Sequence, residues 1–390
     1  MYRAFLVFGL CGLMAAQENA QEDPAKAIAD LMKDGNASFL KRDYEAARLA
    51  FAGAWEAAQK TPKDSPLRYD VLKKMVSVRA AQGEFADADN WLQQAITWRE
   101  NTLGQRDPKI PDDLLISVSF CRGMKDYDRA MYILRRVQAL HTAIYGAEST
   151  MVADDLHRLA QVYMEQKQSD PAIGSLNAAL EIRTKLAGPL DPSLVPDLDR
   201  LGELYTTKRA YDDAVGAFRH VLVIRETLYG KVHADLISTV DGLAYGLFGL
   251  KNYEAAEPVY RRLLQLWETS VGPEHPMVAV ALDKIAVFYA EQKKYDEARE
   301  ALDRSTAIRA RFYAMGLSQQ ATQAFTETQL EQAKGYYQRA LAALDPPNAI
   351  NDDLRAQLEG LIKTLEAPLP KPGPPPKKAT AAKKAEATKK

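Results

Sequence analysis

Apolar residues recur three and four positions apart along most of the chain, in bursts separated by short polar breaks. Two neighbouring bursts illustrate the pattern: Leu156, Leu159, Ala160 and Tyr163, followed by Ala172, Leu176 and Ala179. Because residues three and four apart share one face of an α-helix, each burst predicts an amphipathic helix. Two such helices joined by a short break predict an antiparallel helical hairpin.

The hairpin pattern repeats with a nearly constant period. A column of alanines advances in steps of 42 residues after a first step of 41: Ala47, Ala88, Ala130, Ala172, Ala214, Ala256 and Ala298. A column of glycines follows sixteen residues later: Gly104, Gly146, Gly188, Gly230 and Gly272. Small residues mark where each first helix approaches the second closely: Gly35, Ala160, Gly202, Ala244 and Ala286. A fixed period of this length indicates a repeat architecture, so the fold is predicted to be all-α.

These columns resemble the tetratricopeptide repeat, in which a small residue is followed by alanine, by leucine or an aromatic residue, and by another alanine. Ala160, Ala172, Leu176 and Ala179 follow that order, and the period of 42 resembles the kinesin-light-chain type. The resemblance implies a right-handed superhelical solenoid of antiparallel helix pairs. It covers seven copies over residues 25–314, followed by a partial repeat and capping helix over 315–366.

The loops predict where helices begin and end. Residues able to cap a helix follow the glycines: Asp107, Ser149, Asp191, His233 and His275. The glycines themselves are expected to end the preceding helices in a left-handed conformation. Since one repeat separates His233 from His275, capping is favoured over a shared metal ion.

The amino terminus predicts a secretory signal peptide over residues 1–16 and a short linker over 17–24. Arg3 precedes an apolar run that ends near Ala16. That run is shorter than the roughly 20 residues of a membrane-spanning helix, so an uncleaved anchor is the weaker alternative. The mature chain is therefore expected to have no transmembrane span and to be exported, with a bacterial periplasm as its expected location. Cleavage would leave Cys121 as its one cysteine.

The carboxyl terminus, residues 367–390, contains six prolines, seven lysines and one acidic residue. This composition predicts disorder. The net charge of −1 over the whole chain therefore conceals an acidic repeat region beside a basic tail. A chain that is not basic throughout is not expected to bind nucleic acid. Two cysteines exclude a disulfide scaffold and a four-cysteine zinc site.

The sequence contains no P-loop, dinucleotide fingerprint, nucleophile elbow or zinc-protease motif. Asp154 and His157 share a helix face and form the one suggestive pair, with no third ligand nearby in sequence. His141 falls in a mostly cationic column near the ends of the second helices, where it would complement the helix dipole. Cys121 aligns with core positions. The chain is therefore predicted to be non-enzymatic and to use neither cofactor nor metal.

In tetratricopeptide repeat proteins the first helices line a concave groove that receives a peptide or a partner's helix. Inward-facing columns of those helices supply the predicted partner-binding residues: Asp154, His157, Asp199, Glu203, Asp241, Tyr245 and Asp283. Relatives of the kinesin-light-chain type often carry asparagine in the column that here is aspartate. The groove is thus expected to be acidic and to prefer a lysine- or arginine-rich segment. Alternatively, the carboxylates are solvated or pair between repeats with Arg158, Arg200 and Lys284.

The expected function is an exported, non-enzymatic scaffold that binds a protein or peptide partner. Two alternatives remain open. In one, the protein is an envelope-tethered adaptor whose lysine-rich tail binds lipid headgroups or cell-wall polymer. In the other, it is a non-catalytic subunit of an enzyme complex. The tail could also fold back onto the acidic groove.

Overall fold

The structure is a computed structural model that describes residues 23–323, 330–344 and 351–366. Within these ranges the regular structure is entirely helical, as the periodicity predicts. The predicted signal peptide and the basic tail lie outside the described residues. The chain divides into two compact units, which meet in sequence between Gly230 and Lys231.

The described residues of the first unit form ten α-helices, paired in chain order into five hairpins. They are α1 Pro24–Leu40, α2 Tyr44–Ala58, α3 Pro66–Ala81, α4 Phe85–Leu103, α5 Ile110–Gly123, α6 Tyr127–Tyr145, α7 Thr150–Glu165, α8 Ser169–Ala187, α9 Val195–Thr207 and α10 Tyr211–Tyr229. Each helix packs against the next in sequence. The core is therefore built between neighbours, as expected of stacked repeats.

The second unit continues the same arrangement. Its helices are α11 Ile237–Gly249, α12 Tyr253–Val271, α13 Pro276–Glu291, α14 Tyr295–Gln323, α15 Leu330–Ala342 and α16 Asp352–Glu366. α11 pairs with α12 and α13 with α14, and α15 then packs between α14 and α16. α14 is 29 residues long and continues through residue 314.

The predicted caps are present. The Nδ1 atoms of His233 and His275 each accept a backbone N–H two residues later at 3.2 Å, which confirms capping for both histidines. However, a single 3₁₀ turn separates His233 from α11, and another separates Asp191 from α9. Those two α-helices therefore begin later than the capping residues predict.

The loop glycines differ from the expectation in one dihedral angle. At Gly104, for example, φ is +97° and ψ is 157°, which lies outside the left-handed helical region. This mirror-extended region is essentially restricted to glycine. A φ near +60° occurs instead at the turn within most hairpins, on basic residues: Arg42, Lys125, Lys167, Arg209, Lys251 and Lys293.

The column of small residues lies where helices approach closely, as predicted. A Cβ added to Gly202 would lie 2.6 Å from ring atoms of Phe218, and one added to Gly35 would overlap the ring of Phe51. Both rings are buried. Cys121 is fully buried as predicted, and burial raises the pKa of its thiol to about 11.

Candidate partner-binding site

The seven predicted binding residues all lie on first helices of hairpins. In the first unit, Asp154 and His157 are on α7, and Asp199 and Glu203 are on α9. In the second unit, Asp241 and Tyr245 are on α11, and Asp283 is on α13. Each carboxylate and the histidine already has a polar partner within its own unit.

A second column of aspartates, two positions before the predicted one, is buried and was missed by the sequence reasoning. Asp113, Asp155 and Asp197 are at most 3% exposed. Each pairs with an arginine or histidine that lies fourteen residues earlier, on the preceding hairpin. The pairs are Arg99 with Asp113, His141 with Asp155 and Arg183 with Asp197. His141 thus pairs with a carboxylate at 2.6 Å, which its expected role at the helix dipole does not include. These pairs join consecutive hairpins.

Asp154 and His157 do not pair with each other. The Nδ1 atom of His157 lies 2.5 Å from a carboxylate oxygen of Asp197, and its Nε2 atom lies 2.9 Å from the side-chain amide nitrogen of Gln161. Asp154 instead accepts from Arg183 at 2.6 Å, and the same guanidinium also bonds Asp197. The pair that suggested chemistry therefore belongs to a connection between α7, α8 and α9.

The other two predicted residues of the first unit are also paired. Asp199 accepts from Arg225 of the same hairpin at 2.7 Å. Burial raises the pKa of Asp199 despite the opposing effect of that guanidinium. Glu203 accepts from Arg200 one turn earlier at 2.6 Å. The acidic character expected of this face is thus largely compensated within the first unit.

Asp241 differs from the other aspartates of its column. Asp199 pairs with the arginine 26 positions later, Arg225, and Asp283 likewise pairs with Arg309. The corresponding residue for Asp241 is Trp267. Asp241 instead accepts hydrogen bonds from Lys284 of the next hairpin, whose Nζ atom lies 2.6 Å from each carboxylate oxygen. The two side chains are 36% and 43% exposed, so this ion pair is accessible to solvent.

Exposed apolar side chains lie close to this ion pair in sequence and on the same helices. Tyr245, one turn after Asp241 on α11, is 49% exposed, and Val287 on α13 is 57% exposed. Burial, with a smaller contribution from the Asp241 carboxylate, raises the pKa of Tyr260 on α12. We call Asp241, Tyr245, Asp283, Lys284 and Val287 the α11–α13 face. It combines exposed apolar area with two partly exposed carboxylates, Asp241 and Asp283, each held in an ion pair.

Among the described residues, no three His, Cys, Asp or Glu side chains are grouped as a metal site requires. None of the helices in the described part of the chain is both long and apolar enough to cross a bilayer.

Two family models, both described as tetratricopeptide repeat, match the sequence. One covers residues 235–311, and the other covers 80–109 and 198–235. No curated protein is significantly similar to the chain in sequence.

Solved structures with a similar arrangement include BtubC from P. vanneervenii, with 19% identity, a TM-score of 0.44 and coverage of 63% of this chain and 91% of that one. A putative kinesin light chain from Podosopora anserina, described as having nearly identical TPR-like repeats, has 19% identity, a TM-score of 0.46 and coverage of 52% and 97%. The apo form of RapI has 15% identity, a TM-score of 0.43 and coverage of 72% and 97%. At these values the likeness says nothing about partners.

Proposed function

We propose that this chain, a tetratricopeptide repeat protein, is a scaffold that binds a basic segment of a partner protein on the α11–α13 face. Tetratricopeptide repeat proteins are generally non-catalytic and bind other proteins. The observation that carries the proposal is the accessible Asp241 carboxylate beside the half-exposed ring of Tyr245.

The Asp241–Lys284 pair can be exchanged at little cost. An exposed ion pair contributes about 0–1 kcal/mol, so a lysine or arginine from a partner can replace Lys284 with a small loss. An arginine would also bond both oxygens of the carboxylate. By contrast, Asp199 and Arg225 are 27% and 16% exposed, and a partner would have to open a better-shielded pair.

Apolar contact supplies the rest of the expected affinity. Tyrosine is among the residues that most often dominate binding energy, particularly when its ring is covered by the partner. Tyr245 and Val287 offer such area, because they follow Asp241 and Lys284 on the same helices and are both exposed. The preferred ligand is therefore a segment that carries lysine or arginine next to an apolar side chain.

The proposal is tested by screening the full chain against a display library of random dodecapeptides and measuring the affinity of recovered peptides by fluorescence anisotropy. We expect enrichment of basic residues next to apolar ones. Trp267→Arg should weaken binding by about tenfold, since it supplies Asp241 with the intrahairpin arginine that its neighbours have. Asp241→Asn should weaken binding similarly.

Asp303→Asn, an exposed carboxylate on α14, is the matched control and should leave affinity unchanged. Circular dichroism of each variant checks that the fold is retained. Recovered peptides that lack basic residues, or that bind Trp267→Arg and wild type equally, would contradict the proposal.

Export to the periplasm through residues 1–16 is also part of the proposal, on the strength of the amino-terminal sequence pattern. Intact-mass analysis of the protein purified from its native cells should give a chain that begins near Gln17. An alkaline phosphatase fused after residue 24 should be active only if it is exported. A full-length amino terminus together with an inactive fusion would exclude this location.

A further inference from the structure

We propose a second binding surface, in the first unit: a tryptophan-lined cleft between α2, α3 and α4 that binds a neutral oligosaccharide. The cleft has a volume of about 360 Å³, and its walls include Trp55, Leu72 and Trp98. This volume is near the lower end of the roughly 300–1,000 Å³ found for small-molecule sites, so the ligand is small. The cleft shares no residue with the α11–α13 face, so the inference does not depend on the proposed function.

Both indole rings of the cleft are held in place. The Nε1 atom of Trp98 donates to the carbonyl oxygen of Lys63 at 2.8 Å, and the ring packs against Tyr69 with centroids 5.5 Å apart. Trp55 packs edge-on against Trp91 at 5.8 Å. Rings that are already fixed lose little conformational entropy when a ligand packs on them.

Both tryptophans are exceptions within their repeat columns. The positions equivalent to Trp98 in the later hairpins are aliphatic: Leu140, Ile182, Ile224, Leu266 and Ile308. The positions equivalent to Trp55 also lack an aromatic residue: Ile96, Gln138, Leu180, Leu222, Leu264 and Thr306. Packing of the repeat therefore does not require an indole at either position. Two separate departures from the repeat pattern meet in one cleft, which indicates a role for the cleft besides packing.

The charges around the cleft favour a neutral ligand. Of the described residues that line it, none is acidic and Arg68 alone is basic. The guanidinium of Arg68 donates to the carbonyl oxygens of Gln59 and Thr61 at 2.8 and 2.7 Å, and it thereby ties the loop after α2 to α3. A cationic ligand would have no counterion among these lining residues. An anionic ligand would have to compete for a guanidinium that the backbone already holds.

Polar side chains flank the indole of Trp98 along α4. Gln94 lies one turn before Trp98 and Asn101 one turn after it, so both share its helix face, and both are exposed. The Gln94 amide donates a long hydrogen bond of 3.5 Å within its own helix, which a ligand can replace at little cost. The Thr97 hydroxyl donates to the carbonyl oxygen of Gln93 at 2.8 Å, so its oxygen can accept from a ligand.

A saccharide has the matching chemistry. A pyranose with mostly equatorial hydroxyls presents a flat face of C–H groups and a rim of hydroxyls that both donate and accept. Burial of the C–H face against the indoles supplies affinity. The carboxamides on either side of Trp98 can each bond two neighbouring hydroxyls, once as donor and once as acceptor. The cleft therefore suits a short chain of such sugar rings.

The test titrates the full chain with two neutral trisaccharides, cellotriose and chitotriose, and follows the indole ¹H–¹⁵N resonances. At least one trisaccharide should shift the resonances of Trp55 and Trp98 and leave that of Trp267 unchanged. Sorbitol is the matched control ligand, because it carries the hydroxyls of a hexose without a ring face, and it should cause no shift. Adenosine and a proline-rich peptide, which can also pack on an indole, should bind more weakly than the trisaccharide.

Three variants keep the test independent of folding defects. Trp98→Leu introduces the residue found at position 140 and should abolish the saccharide-induced shift of the Trp55 resonance while preserving the circular dichroism spectrum. Asn101→Ala, at an exposed position, should weaken binding about three- to tenfold without affecting the fold. Glu56→Gln, exposed on α2 outside the cleft, is the matched control and should leave binding unchanged. The absence of shifts with both trisaccharides, unchanged binding by Trp98→Leu, or tighter binding of adenosine or the peptide would overturn the proposal.

Discussion

Replacing Gly202 by alanine should destabilise the first unit, whereas the same substitution at Gly216 should stabilise it. The two glycines lie on the paired helices α9 and α10. A Cβ at Gly202 would lie 2.6 Å from Cε1 and Cζ of Phe218, whereas one at Gly216 would have nothing within 4 Å. Because Phe218 is only 6% exposed, its ring has little room to move away.

The two substitutions change the free energy of unfolding in opposite directions. Alanine favours the helical conformation at both sites, but only at Gly202 does its Cβ overlap another side chain. Alanine in place of a helical glycine stabilises by about 0.5–1 kcal/mol, which is the expected change at Gly216. Overpacking costs about 1–3 kcal/mol, and a 2.6 Å approach is well inside the 3.4 Å at which ordinary contact begins. We therefore expect Gly202→Ala to lower the free energy of unfolding by about 1–2 kcal/mol.

A compensating substitution isolates the steric cause. Ala160 faces Leu176 at the equivalent positions of the preceding hairpin, so Gly202→Ala combined with Phe218→Leu reproduces a pair that the fold already accommodates. The double variant should be more stable than the sum of the two single effects by about 1 kcal/mol or more. Urea titrations followed by circular dichroism give the free energies, and hydrogen exchange assigns the change to α9 and α10. Equal effects at Gly202 and Gly216, or additivity in the double variant, would refute the steric explanation.

Four further predictions concern stability and reactivity. Lys125→Gly should raise the unfolding free energy by up to about 1 kcal/mol, since φ is +60° there, whereas Met124→Gly, with φ of −83°, should lower it. Burial raises the pKa of Asp199 above 3.8, so its stabilising contribution is greatest below that pH. Wild type should lose stability relative to Asp199→Asn as the pH rises from about 4 to about 7 in urea titrations. Asp353, whose pKa is lowered to about 2 by a paired arginine, has the opposite sign: its contribution is present above 3.8 and is lost as the pH falls towards 2. Cys121, buried and with a pKa of about 11, should react with a thiol reagent only on unfolding, and rapid labelling of the native protein would contradict its core position.

Much of the fold could be predicted from the sequence because its information is periodic. The spacing of apolar residues predicted the hairpins, and the alanine and small-residue columns predicted where helices meet. The conformations of single loop residues could not be predicted in the same way. Glycine is compatible with both positive-φ regions, so Gly104 does not by itself reveal which one it adopts. Proline after Asp191 fits either a 3₁₀ turn or an α-helix, because its fixed φ is common to both.

The candidate site could be predicted only in part, because a column identifies a side chain but not its partner. The aspartate column at 199, 241 and 283 is visible in the sequence, and it predicts an acidic surface when it is considered alone. Long arginine side chains can reach either the same hairpin or the next one. In the sequence, each arginine is followed after fourteen residues by a position of the buried aspartate column and preceded by 26 residues by a position of the exposed one. The partner of an arginine can be predicted only when both positions are considered together.

Comparing those columns explains why Asp241, unlike Asp199 and Asp283, pairs with a lysine of the next hairpin. The residue fourteen positions after Arg183 is Asp197, and this buried carboxylate forms an ion pair with the guanidinium. At Arg225 and Arg309 the position fourteen later is Thr239 or Gln323, and the structure pairs each arginine with the aspartate of its own hairpin. Trp267 cannot form an ion pair with either column, so Asp241 is left with the solvent-exposed Lys284. A single tryptophan at a cationic position therefore replaces an ion pair within the hairpin by one between hairpins, and Trp267→Arg should restore the pairing seen at Asp199 and Asp283.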